Sequence, residues 1–240
     1  MTWTRESVVR AATVRYVVPV LPYEDEAAGS PLATTHLHGR PLFAHAVSTV
    51  HEAAGRDVLV TAPVGAGSAV SAALGDTGAR VVEGGGSLGA CLQRVLADVS
   101  SEGRPQLLVV HDPRCPLVPA AFLREVVDRA TARPYDVTVA TRPMTDTVKS
   151  VVDGVVRATV DRDRLVVLTS PLVVPVDVLA PLSDEPALRA CVDVEDLVLL
   201  ARSAGAAVHW VPAPSLAWRV DDVSSVSVLE SVTDGGRRPR

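Results

Sequence analysis

The sequence predicts an α/β fold, a parallel sheet flanked by helices, from three observations. Short β-branched runs alternate with amphipathic runs of helical period, the connections between them are short, and this rhythm gives way to closely spaced strand-like runs only in the stretch 142–170. VRYVVPVL (14–21) is β-branched and bounded by prolines, a buried-strand pattern. PLFAHAVSTVHEA (41–53) reads as a helix, with Leu42, Ala46, Val47 and Val50 on one face and Pro41 suited to its first turn. DVLVTA (57–62), ARVVE (79–83), QLLVVHD (106–112) and DVTVAT (136–141) read as strands. Helices are expected between them over 68–74, 88–99 and 120–130. VKSVVDG, VVRATV and RLVVLTS, with the Asp153-Gly154 turn signal, read as a β-rich insertion over about 142–170 of the kind that serves as a projecting arm or dimerisation element. The rhythm resumes with a helix over 194–205, strands over 207–212 and 216–220, and a last helix over 222–232. One domain over 1–240 with an arm is expected, and the tail 234–240 is expected to be disordered.

Composition narrows the function. The chain has 240 residues, 48% hydrophobic and 21% charged, enough for a continuous core and not the make-up of a disordered protein. A net charge of −5 without a basic stripe, and 3% aromatics, argue against nucleic-acid binding. No signal peptide or clean membrane span is expected, because the most apolar stretch, 165–182, is interrupted by Pro171, Pro175 and Asp177. Three widely spaced cysteines, Cys91, Cys115 and Cys191, give neither a disulfide framework nor a zinc-ligand pair, and a cytoplasmic protein is expected. Lys149 is the one lysine among 23 basic residues, so a phosphate-binding lysine has a single possible source.

In parallel sheets ligands bind beyond the carboxyl ends of the strands, which singles out three loops. Asp112 in HDPRCP (111–116) is placed to hold a hard cation, or to cap the turn before Pro113. The glycines after Glu83, Gly84 to Gly86, allow close backbone approach to an anionic or planar ligand, and the following helix adds its N-terminal dipole. PVLPYEDEAAGSP (19–31) has Gly29 as its only glycine and Glu24, Asp25 and Glu26 in a row, the opposite of a phosphate cradle, and reads as a solvated acidic loop. His36 and His38, two apart, would share a face in a strand but have no further ligand nearby, and Cys115 reads as a structural thiol.

Several segments in order resemble the 2-C-methyl-D-erythritol 4-phosphate cytidylyltransferase family: VVEGGGSLGACLQRVL its glycine-pair segment, LVVHDPRCPLVP its "VHDAARP" motif, MTDTVKSVVDGVVRATVDRDRLVVLTSP its "SDTIK…R…TPQ" arm, and LAWRVDDVSSVSV its closing lysine-containing segment. The resemblance implies a Rossmann-like nucleotidyltransferase sheet with a β-arm that hooks a second copy into a homodimer. It implies transfer from CTP to the polyol phosphate, with release of pyrophosphate and help from Mg²⁺. It assigns the metal to Asp112 and nucleotide contacts to Pro19, Val20, Gly84, Gly85 and Asp112. Thr147, Arg162 and Thr169 fall where the family holds its acceptor phosphate, and Arg219 where it has a substrate-binding lysine. The family's "PAAGxGxR" loop is PVLPYEDEA here, its catalytic lysine is Leu32, the arginine and serine of "GGxxRxxS" are Leu88 and Cys91, and the arginine of "HDAARP" is Cys115, with Arg114 one position earlier. Losing one preorganised charge donor costs on the order of 10²–10³ in rate. Three readings therefore stay open: a working cytidylyltransferase, a catalytically inactive homologue acting as a nucleotide-binding or regulatory partner, and an enzyme for a related phosphate or donor.

Overall fold

A computed structural model describes residues 13–21, 32–55, 58–99 and 106–234. In chain order the strands are β1 (Val14–Pro19), β2 (His36–Leu37), β3 (Arg40–Pro41), β4 (Val58–Ala62), β5 (Arg80–Glu83), β6 (Leu107–Val110), β7 (Val137–Pro143), β8 (Val148–Val152), β9 (Val155–Val160), β10 (Val166–Pro175) and β11 (Val208–Pro212). The helices are α1 (Leu42–Ala54), α2 (Gly67–Leu74), α3 (Leu88–Val99), α4 (Ala120–Thr131), α5 (Val176–Leu179), α6 (Pro186–Ala190), α7 (Val194–Ser203) and α8 (Val223–Asp234).

Seven strands form one sheet in the order β11-β7-β10-β6-β1-β4-β5. β1 pairs in parallel with both β4 and β6, so the chain winds outward through β4 and β5 and then returns through α3 to the other side of β1. The gap between β1 and β6 is the switch point at which such sheets take ligands. The period-2 pattern of β1 sends Tyr16, Val18 and Val20 into one core and Val17 and Leu21 into the other. The first core holds Phe43, Val47 and Val50 of α1 with Phe122, Leu123 and Val126 of α4. The second holds Leu88, Leu92 and Val95 of α3 with Leu188 and Leu197. A third, smaller cluster of Leu32, Leu37, Leu42, Val220, Val226 and Leu229 fastens α8 to the β2–β3 hairpin.

The structure departs from the sequence expectations in four places. RLVVLTS is not part of the insertion: it opens the ten-residue β10, which lies antiparallel between β6 and β7 and shifts register between Leu168 and Leu172. A buried strand reads alike in either direction, so the pattern carried no sign of its polarity. LAWRV (216–220) is a turn followed by coil and not a strand, held by Ala217 N–H to Pro214 O and Val220 N–H to Arg114 O. The short helices α5 and α6 had no periodic signal, being four and five residues long. Asp234, expected in the tail, ends α8, and 235–240 lie outside the described residues. The projecting hairpin is β8–β9, whose Val151, Val152, Val155 and Val156 are exposed. Among the described residues no helix is long and apolar enough to cross a membrane.

Candidate functional site

β10 is antiparallel, so Thr169 and Ser170 reach the same end of the sheet as Asp112 at the end of β6. Leu172 stands opposite Val110, and two residues on, Ser170 Oγ accepts the Asp112 N–H at 3.0 Å. The same oxygen lies 2.6 Å from His111 Nδ1, whose ring is fully buried. Burial pushes the His111 imidazole down to about 4, only partly offset by Asp112, and its Nε2 has no hydrogen-bond partner among the described residues.

Asp112 is not an open carboxylate. Its Oδ1 accepts Arg114 N–H at 2.9 Å and Arg114 Nε–H at 3.2 Å, and its Oδ2 accepts Arg114 Nη2–H at 3.0 Å. The turn HDPRC, closed by Cys115 N–H to Asp112 O at 2.9 Å, folds Arg114 back onto the carboxylate two residues earlier, with both side chains 8% exposed. Arg219 Nε stands 3.8 Å from Oδ2 on the other side. Burial alone would raise the Asp112 carboxyl, but Arg114 and Arg219 outweigh it and hold it below the ordinary carboxylate range.

Arg219 is gripped in turn. Its Nη1 donates to Glu195 Oε1 at 2.6 Å, from the first turn of α7, and Asp221 lies 3.7 Å from its Nε. Burial pushes the Glu195 carboxyl up despite Arg219. Arg219 also lines a cavity of about 140 Å³ with Arg142, Asp146, Thr169, Trp218 and Asp221. Thr169 Oγ1 donates to Ala217 O at 2.6 Å, which ties the coil carrying Arg219 to β10.

The structure thus brings Asp112, Thr169 and Arg219 together. Thr147 and Arg162 line a second hollow of about 460 Å³ at the arm, joined to the first through Thr145, which lines the Arg219 cavity and whose O accepts Arg162 Nη1–H. Pro19 ends β1 at the switch point and Val20 follows it, its N–H donating to Thr61 O, while the acidic loop with Glu24, Asp25, Glu26 and Gly29 lies outside the described residues. Gly84 and Gly85 have φ of 153° and 86°, and a Cβ on Gly85 would stand 2.7 Å from Cys91 N, so that position requires glycine. The expected anion-binding dipole at α3 is corrected: Leu88 N–H donates to Val192 O, Gly89 N–H to Cys191 O and Ala90 N–H to Ser87 Oγ, so the helix start is already satisfied.

Leu32, Leu88 and Cys91 are buried in apolar clusters. Arg114 pairs with Asp112, and Cys115 is fully buried, its thiol pushed up to about 12 by burial and by Asp112. His38 turns to α8, its Nε2 2.6 Å from Thr233 Oγ1, and among the described residues no group of three or more metal-ligating side chains exists. Sequence reasoning missed Glu195, which reads as an ordinary acid at a helix start, and Arg142, which reads as the end of a strand.

Comparison with known proteins agrees with this architecture. Residues 24–230 match the profile of IspD, 2-C-methyl-D-erythritol 4-phosphate cytidylyltransferase. A protein of that name from Saccharopolyspora erythraea is 31% identical over 214 residues, 85% of this chain and 92% of its own. One from Symbiobacterium thermophilum is 39% identical over 105 residues, 42% of this chain and 41% of its own. The Thermus thermophilus crystal structure of such a protein superposes with a TM-score of 0.72 at 20% identity, covering 92% of this chain and 98% of that one. The structure of a CMP:2-keto-3-deoxy-manno-octonic acid synthetase complexed with CTP superposes at 0.69 and 13% identity, covering 94% of this chain and all (100%) of that one, a likeness of fold.

Proposed function

The chain belongs to the 2-C-methyl-D-erythritol 4-phosphate cytidylyltransferase family, and from that premise we propose that it transfers the cytidylyl group of CTP to this small polyol phosphate in cytoplasmic isoprenoid synthesis. The observation that carries this reading is the convergence of Arg219, Arg142 and Thr169 on one cavity at the carboxyl end of β7, beside Asp112.

An acceptor phosphate oxygen attacks the α-phosphorus of CTP and forms the new P–O bond. The bond from that phosphorus to the β-phosphate oxygen breaks, and its electron pair leaves with pyrophosphate. Such a step needs positioning and fixed charge more than covalent chemistry. Arg219, always protonated, supplies the charge, with Arg142 a second cation in the same cavity. Thr169 holds the Arg219 coil in place, and Asp112 orients the Arg219 side chain. Pro19, Val20, Gly84 and Gly85 border the nucleotide, and Thr147 and Arg162 of the arm hold the acceptor. The exposed valines of β8–β9 pack against a second copy in a homodimer.

A divalent ion at Asp112 does not fit the residues as arranged. Both carboxylate oxygens are occupied by Arg114, Arg219 Nε stands 3.8 Å from Oδ2, and a cation would have to displace a buried guanidinium.

A second reading, an inactive homologue that binds nucleotide or a protein partner, is favoured by Leu32 and Leu88, which bury apolar side chains where the family places its charged groups. Calorimetric titration with CTP, followed by an assay of pyrophosphate release on adding 2-C-methyl-D-erythritol 4-phosphate, separates the two. Binding with turnover supports the transferase. Binding without turnover supports the inactive homologue, and no binding at millimolar CTP removes both nucleotide readings.

A further inference from the structure

The charges around the Arg219 cavity are unequally matched. Arg114 is held by both oxygens of Asp112, and Arg219 by Glu195 Oε1 at 2.6 Å with Asp112 Oδ2 at 3.8 Å. These two arginines and two acids balance one another inside the chain. Arg142 is different. It lines the same cavity, is half-buried, and its side chain has no hydrogen-bond or ion-pair partner among the described residues. Its backbone is fixed by the sheet: Arg142 stands opposite Val167 of β10, and Ala213 N–H donates to the neighbouring Thr141 O. Strand alternation sets it on the face of Ala140, in the core that also holds Ala217, so its side chain leaves β7 toward the coil carrying Trp218 and Arg219. The two carboxylates of the cavity do not neutralise it. Asp221 stands 3.7 Å from Arg219 Nε and is 74% exposed, and Asp146 is exposed.

We propose that Arg142 is the residue that selects a phosphorylated acceptor: its guanidinium fork takes two oxygens of a phosphomonoester, a contact that the unphosphorylated polyol forfeits. The proposal deepens the transferase reading and rests on it for the identity of the acceptor. Arginine is always charged and presents parallel N–H groups matched to phosphate oxygens, so a half-buried guanidinium without a partner is a ready anion site. The rest of the lining suits the rest of such a molecule. Asp146 and Asp221 accept from its hydroxyls, and Trp218 and Met144 cover its carbon chain. Arg219, 12% exposed and gripped by Glu195 and Asp112, keeps its place with or without the acceptor.

The test is titration calorimetry on the wild type, Arg142→Gln and Arg142→Lys, with 2-C-methyl-D-erythritol 4-phosphate, glycerol 3-phosphate and CTP as separate ligands, beside steady-state pyrophosphate release. Arg142→Gln is expected to weaken both phosphate esters by at least about tenfold, to raise the KM of the acceptor to match, and to leave CTP affinity within about twofold. Arg142→Lys keeps the charge without the fork and should recover part of the loss. A merely structural Arg142 would lower the melting temperature, measured alongside, and weaken esters and CTP together. Arg142→Met, which keeps the apolar stem, gives the same comparison should the glutamine variant fold poorly. A smaller loss for the esters, a comparable loss for CTP, no recovery by lysine, or binding of neither ester by the wild type at about 10 mM overturns the assignment. Absence of pyrophosphate release by the wild type, with the glycerol 3-phosphate result as expected, would sink the transferase and leave Arg142 as a phosphate anchor.

Discussion

Replacing Asp112 with asparagine separates an internal ion-pair partner from an open ligand waiting for a cation. The carboxylate and Arg114 are both 8% exposed, so solvent screening is slight, and Arg219 lies 3.8 Å away on the other flank. Asparagine keeps one acceptor oxygen but removes the charge that neutralises two buried guanidiniums. Breaking a buried pair by deleting one partner costs about 3–5 kcal/mol, and the retained acceptor puts Asp112→Asn near the lower end, about 3 kcal/mol. For a chain of this size that corresponds to a fall in melting temperature of about 6–12 °C. Urea unfolding at neutral pH would read the change as a lower midpoint with an unaltered slope. Arg114→Leu and the double variant complete a cycle in which the coupling should be about 2 kcal/mol. A loss below about 1 kcal/mol, or a gain in stability, would refute the pairing and restore Asp112 as a free ligand.

Three further outcomes follow from the same geometry. His111 is pushed down to about 4 by burial, so its contribution is fully present above about 6.5 and is lost as pH falls toward 4, on the order of 3 kcal/mol in all; urea midpoints at about pH 7.5 and 5 should differ, and His111→Asn should shrink the difference. Cys115, raised to about 12 and fully buried, and Cys191, raised to about 11 by burial and nearby acids, should resist alkylation in the native state and react on unfolding, as mass spectrometry of carbamidomethylated protein would show. Gly89→Ala would set a Cβ 1.6 Å from Leu188 O, forcing α6 from α3, and should cost at least about 2 kcal/mol in chemical denaturation.

Local periodicity made most of the sheet legible. β1, β4, β5, β6 and β7, and helices α1, α3 and α4, lie within a few residues of where apolar spacing puts them. Polarity and partners were not legible. The run ending at Ser170 looked like another short strand of the insertion, yet it enters the main sheet antiparallel and delivers Thr169 and Ser170 to Asp112, 58 residues earlier. Asp112 is legible from its place at the end of a buried strand, Thr169 and Arg219 only through the family resemblance, and the fold gathers the three. Their electrostatic state depended on contacts that no spacing rule encodes. Arg114 folds back on Asp112 because the turn after β6 is tight, and Glu195 meets Arg219 only because the start of α7 lies beside the 216–220 coil.

The most direct measurement is pyrophosphate release from CTP in the presence of 2-C-methyl-D-erythritol 4-phosphate, comparing the wild type with Arg219→Gln. Release by the wild type that falls on the order of 10²-fold or more in the variant is the predicted result. No release by the wild type, or equal release by both proteins, would contradict a transferase built around Arg219.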